Sequence, residues 1–196
     1  MMSDFKAGRR RDWGKAMGYC ALILAGGILA GPSHSQNSKE KIMNLTSPSF
    51  SHNGTIPARH TCDGQNLSPP LSWSDLPAGT KSLVLIVDDP DAPDPTAPKT
   101  TWVHWLAYNL PPSIAGLAEG GGALPAGTLQ GLNDWQRSGY GGPCPLIGTH
   151  RYFHKLYALD TLLPDLKTPT KATLEQALRG HVIDHAELVG RYQRKR

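Results

Sequence analysis

Turn-forming clusters interrupt this 196-residue chain roughly every ten residues. SHNGT, CDGQNLSPP, LPAGT, NLPPS, GGPCP and LLPDLKTP leave little room between them for long helices. Each cluster supplies Gly, Asn or Asp, which tolerate turn geometry, or Pro, which pre-sets φ. The intervening apolar runs at residues 82–87, 102–109 and 151–159 have strand character. Short strands joined by tight turns pair antiparallel, so the pattern predicts an all-β-dominated domain with peripheral helices, a sandwich or open barrel. Residues 170–180, TKATLEQALRG, alone read as helix, with Leu174 and Leu178 one turn apart and Gly180 as the stop. A last strand is predicted over residues 188–193.

Residues 1–35 differ from the rest. Lys6, Arg9, Arg10, Arg11 and Lys15 precede an apolar run, MGYCALILAGGILA, and small residues follow at Ser33 and Ser35. That is the layout of a secretory signal, and the run is shorter than the roughly 17–25 residues that span a bilayer. The sequence therefore predicts a cleaved signal peptide over 1–35, a linker over 36–42 and one domain over 43–196, with no transmembrane segment after cleavage. A periplasmic or secreted location follows. RRDWGK is also similar to a twin-arginine signal, so both export routes stay open.

The leader's five basic and two acidic residues, taken from the chain's 20 and 16, leave 15 and 14. With so small a basic surplus the mature chain offers little surface for displacing counterions, which argues against nucleic-acid binding. Cys20 departs with the leader and leaves Cys62 and Cys144. An even pair in an exported chain predicts a disulfide, because the compartment is oxidising.

The stretch DDPDAPDP, residues 88–95, directly follows the apolar SLVLIV. An apolar run without alternation marks a strand covered on both faces, whose end is delivered to the rim of the sheet. The acidic stretch is expected there as a proline-stiffened loop, with Asp88 and Asp94 solvated. In WVHWLAYN strict alternation groups Trp102, His104, Leu106 and Tyr108 on one face, and in the next long strand it groups His150, Tyr152 and His154. Asp89 beside such histidines would fix an imidazole's tautomer and raise its pKa. Imidazolium, the Tyr152 hydroxyl and glycine amides would then hold an anion such as a phosphate monoester. His181 and His185 are spaced for a metal only on a helix, which Gly180 and the β-branched Val182 and Ile183 oppose, so no metal is expected.

DPDAP, WVHW, GYGGPCP and GTHRY, in that order, resemble the phosphatidylethanolamine-binding protein family, in particular the bacterial branch often called Raf kinase inhibitor-like. TCDGQNLSPPLSW and GHVIDHAELVGRYQR are similar to the same branch, so the resemblance runs over about residues 43–195. It implies an antiparallel β-sandwich with an anion pocket at one rim. By motif position that pocket falls on Asp89, Trp102, His104, His150 and Tyr152, with Asp91 and Gly142 alongside. GPCPL stands where the branch has GPCPP, and Ile147 follows, which makes the lip more apolar than the family pattern.

The resemblance implies lipid head-group binding and, in eukaryotic members, kinase inhibition. The expectation is therefore a non-catalytic protein for a small phosphate-containing or other anionic ligand, with a regulatory or inhibitory role towards a protein partner and no cofactor. The resemblance also allows a homodimer, which no residue pattern specifies. The rival is a hydrolase of a small phosphoester or ester working through the Asp, His and Tyr groups. It lacks a G-x-S-x-G elbow, and Cys144, the thiol near the pocket, is assigned to the disulfide.

Overall fold

The structure is a computed structural model that describes residues 42–195. The expected signal peptide and nearly all of the expected linker lie outside them. Two sheets form the domain. Strands β1 (Asn44–Thr46), β3 (Leu71–Ser74) and β6 (Gly116–Leu117) make the smaller, in the order β1-β3-β6. The larger has the order β2-β9-β8-β4-β5-β7, from β2 (Gly54–Thr55), β4 (Ser82–Ala92), β5 (Thr100–Leu110), β7 (Leu129–Gln130), β8 (His150–Leu159) and β9 (Val182–Tyr192). All pairs are antiparallel except β2 with β9. One helix, α1 (Lys171–Leu178), packs on the large sheet, and Thr170 caps its start by accepting from the Thr173 N–H. No helix among the described residues is long and apolar enough to cross a membrane.

The run SLVLIV is central, as its lack of alternation predicts. Leu83, Leu85 and Val87 pack into the core shared with Leu45, Leu71 and Trp73 of the small sheet, whereas Val84 and Ile86 face Leu174 and Leu178 of α1. One strand thus serves two apolar layers, and every residue of it from Ser82 to Asp89 is buried.

Three expectations change. The acidic stretch is not a loop: β4 continues to Ala92 and carries Asp88, Asp89 and Asp91 into buried positions. Asp88 is not solvated but fully buried, and its carboxylate accepts from Lys155 Nζ at 2.9 Å and Lys171 Nζ at 2.6 Å. The last strand starts at Val182 rather than residue 188, so His181 and His185 do not share a helical face.

The Cys62–Cys144 disulfide forms, with Cα atoms 5.4 Å apart across a sequence separation of 82. A closed loop of that length gives about 4–5 kcal/mol on the chain-entropy account. It holds the 61–66 loop against the segment after Tyr140, a junction reinforced by Cys62 N–H to Pro143 O and by Gly142 N–H to Asn66 Oδ1.

Removing one partner of a buried ion pair strands the remaining charges, and the loss is about 3–5 kcal/mol. Asp88→Ala should therefore lower unfolding stability by that amount in urea titrations. Lys171→Met, which leaves Lys155 on Asp88, should cost less than half as much.

Candidate functional site

Where β5 passes β4, Val87 pairs with Trp105 but Asp88 pairs with Val103, so His104 is an extra residue on β5. This bulge resets the alternation. Leu106 and Tyr108 join the helix-side cluster with Val103, while Trp102 and His104 turn to the opposite face, where Tyr152 packs. Strict parity had grouped Tyr108 with His104; the bulge separates them.

Beside the bulge lies a cavity of about 300 Å³ lined by Asp89, Trp102, His104, Trp135, His150 and Tyr152, with Pro93, Cys144, Pro145 and Leu146 at its apolar side. Asp89, Trp102, His104, His150 and Tyr152 thus converge. Asp91 and Gly142, expected with them, do not line the cavity. Asp91 instead receives Arg151 through Nε at 2.9 Å, Nη2 at 2.6 Å and the backbone N–H at 2.9 Å. These bonds hold its carboxyl below the usual range. Gly142 serves a close approach, since a Cβ there would lie 2.5 Å from both Asn66 Oδ1 and the His60 carbonyl.

Each histidine is fixed by backbone carbonyls of one loop. His104 Nδ1 lies 2.6 Å from the Gly141 carbonyl, which only accepts, so Nδ1 carries the proton. Burial pushes the ring's pKa down to about 4, so it is neutral at neutral pH, not the imidazolium that the sequence suggested. No carboxylate among the described residues hydrogen-bonds to it. His150 Nε2 donates to the Ile147 carbonyl at 3.0 Å, and Nδ1 meets Asp89 Oδ2 at 2.7 Å, so one proton lies between ring and carboxylate. The second Asp89 oxygen accepts the Asp91 N–H at 2.8 Å. Burial raises the Asp89 pKa against the lowering pull of the His150 bond.

The other polar groups are under-used. The Tyr152 hydroxyl and the Trp102 indole N–H are buried with no hydrogen-bond partner among the described residues. Burial pushes the Tyr152 pKa up, so its hydroxyl keeps its proton. The Tyr152 ring meets His104 edge-on at 5.1 Å and lies nearly parallel to His150 at 6.4 Å.

Trp135 was not anticipated from sequence. It stands edge-on to both Trp102 at 5.5 Å and His104 at 5.2 Å, and Gly141 has no Cβ because one would lie 2.3 Å from its ring. Asn133 Oδ1 accepts the Trp135 N–H, and Asp134 Oδ2 accepts the Val103 N–H, tying this loop to β5. The flanking NDWQRSG reads as an ordinary turn cluster, and only the unpaired tryptophan within it was a signal.

His154, on the same face of β8, is buried against Phe50 with neither ring nitrogen in good hydrogen-bond geometry among the described residues, and burial pushes its pKa down to about 4 against the raising pull of the Tyr152 and Leu188 backbone. Both depressed histidines act alike. Their unfolded values lie near 6.5, so the unfolded chain binds more protons between pH 6.5 and about 4, and stability falls as pH drops through that window. The loss should approach about 3 kcal/mol per histidine near pH 4. His154→Leu should remove about half of this acid sensitivity, measured as the difference between urea midpoints at pH 7 and pH 5.

Comparison with known proteins agrees with the fold. Residues 46–193 match the family model described as phosphatidylethanolamine-binding protein. A protein named UPF0098 protein from Methanothermobacter thermautotrophicus is 49% identical over 155 residues, covering 78% of this chain and 99% of its own. The crystal structure of a phosphatidylethanolamine-binding protein homolog from Chlamydia trachomatis is similar at a TM-score of 0.74 and 45% identity, over 79% of this chain and 99% of that one. Escherichia coli YbcL, described as a member of the mammalian family, is similar at a TM-score of 0.71 and 33% identity, over 78% and 99%.

Proposed function

The chain belongs to the phosphatidylethanolamine-binding protein family, and from that premise we propose that its cavity binds a small oxyanion carried on an apolar body, without turning it over. The observation that carries this reading is the pair of buried donors left without partners, the Tyr152 hydroxyl and the Trp102 indole N–H. Unsatisfied buried donors cost about 1–3 kcal/mol each, and a ligand oxygen would recover that loss. Trp102, Trp135, Pro93 and Pro145 supply the apolar wall against which the rest of such a ligand would pack.

Binding is favoured over hydrolysis by how the reactive groups are spent. Cys144 is bonded to Cys62, and Asp89 and His150 are closed on each other and on backbone groups. No serine or threonine lines the cavity. An acid–base pair without a nucleophile, an exposed carboxylate or a water-activating centre has little to offer an ester.

The protein's role is regulatory, towards a partner met outside the cytoplasm. The basic and apolar leader supports export, and a disulfide suits an oxidising compartment. Trp135 and Leu146, which line the cavity and are 38% and 71% exposed, offer apolar contacts there, so a partner could sense whether the cavity is filled.

Phenyl phosphate should bind and shift the His104 and Tyr152 resonances in NMR titration. Tyr152→Phe should weaken it about tenfold, the worth of one hydrogen bond to a charged group, with no loss of melting temperature. Unmoved resonances at millimolar phenyl phosphate would remove the proposal.

A further inference from the structure

The cavity contains no lysine or arginine among its lining residues. The nearby guanidinium of Arg151 is taken by Asp91, and His150 has both ring nitrogens committed. His104 Nδ1–H is committed to Gly141, which leaves Nε2 without a hydrogen-bond partner among the described residues. In the neutral ring Nε2 is a lone pair. The residues lining the cavity thus carry two unpartnered donors, the buried Tyr152 hydroxyl and Trp102 N–H, and one acceptor for an incoming oxyanion. An oxyanion that is acceptor on every face would set an oxygen lone pair against that nitrogen.

Resting on the reading of the cavity given above, we infer that the site selects phosphate monoesters over phosphodiesters, because only a monoester's phosphate can hold the proton that joins it to His104 Nε2. The proton balance is simple. Above the second pKa of the ester, a dianion binds and one proton is taken up from solvent, to lie between a phosphate oxygen and Nε2; no other bond is made or broken. A diester has no such proton, so it binds only if His104 itself is protonated.

Both complexes take up one proton, but the monoester complex keeps one negative charge and holds the proton on phosphate, whereas the diester complex is a neutral imidazolium–phosphate pair that must place it on His104. The second pKa of a phosphate monoester is about 6. That of the buried His104 ring is about 4. Two units amount to a preference on the order of a hundredfold for the monoester at neutral pH and above. The ionisable groups around His104 do not reverse this. Asp89 on β4 and His150 on β8 are paired with each other, His154 on β8 is depressed like His104, and Tyr152 and Tyr140 have pKa values pushed upward by burial. Asp88 lies on the opposite face of β4, held by two lysines.

The test is calorimetry on the protein with phenyl phosphate and methyl phenyl phosphate, which share the apolar body and differ in the acidic proton. At pH 7.5 the monoester should bind on the order of a hundredfold more tightly. Titrations in two buffers of different ionisation enthalpy should show about one proton taken up per monoester bound, and affinity should fall about tenfold per pH unit above pH 7. His104→Asn keeps a side-chain N–H for the Gly141 carbonyl and removes Nε2, so it should abolish both the preference and the proton uptake. Equal affinity for the two esters without proton uptake in the unmodified protein overturns this inference while leaving oxyanion binding intact. Binding of neither ester overturns the reading of the cavity itself. Because the first comparison uses the unmodified protein, it decides the matter even if the variant folds poorly.

Discussion

Strand β4 brings three carboxylates into the body of the protein, and each must be answered there. Asp88, Asp89 and Asp91 are all at most 5% exposed, and an isolated carboxylate so buried costs several kcal/mol. β8 answers all three: Lys155 meets Asp88, His150 meets Asp89 and Arg151 meets Asp91, with Lys171 from α1 completing the first pair. The register of β4 on β8 is thus specified twice, by the apolar residues that face the two layers and by charge. A slip of one residue would send Asp88 to the inter-sheet core, away from both lysines. The same pairing delivers His150 and Tyr152 to the cavity, so the electrostatics of the sheet position the site.

The carboxylates do not charge the site. Arg151 and His150 are both consumed by the strand that recruits them, and His104 is set apart from any carboxylate by the bulge in β5. The result is a cavity with no free cation among the described residues that line it, in which the proposed binding would depend on hydrogen-bond matching more than on attraction. That distinction matters for specificity. A free arginine would hold any oxyanion; a pattern of two donors and one lone pair would discriminate by protonation state.

Much of this was legible in the sequence, and the misses have one cause. Turn punctuation gave the sheet-rich architecture, the unalternating run gave the central strand, and two lone cysteines gave the disulfide. Asp89, Trp102, His104, His150 and Tyr152 do share a cavity. Strict alternation failed at His104, because a bulge adds a residue without any mark in composition. Asp88 was misjudged for a similar reason: acidic residues interleaved with prolines read as a turn, and the lysines that make burial tolerable lie 67 and 83 positions away. Trp135 belongs to a loop whose local sequence specifies only a turn; its role comes from Gly141, where the absence of a side chain leaves room for the indole. Local signals carry the elements, whereas partners brought together by register carry the site.

The loop that closes the cavity concentrates several constraints in few residues. Gly141 orients His104, Ile147 orients His150, and between them Cys144 ties the segment to Cys62 while Pro145 and Leu146 form the apolar side. Proton positions on both histidines are therefore set by backbone carbonyls on one cross-linked segment rather than by independent side chains. Such carbonyls only accept, so the ring nitrogen that faces each of them carries a proton. With the two histidines held in this way, the variable element left in the cavity is the single nitrogen lone pair of His104, and on the proposed reading a ligand's ability to meet it is the feature on which recognition would turn.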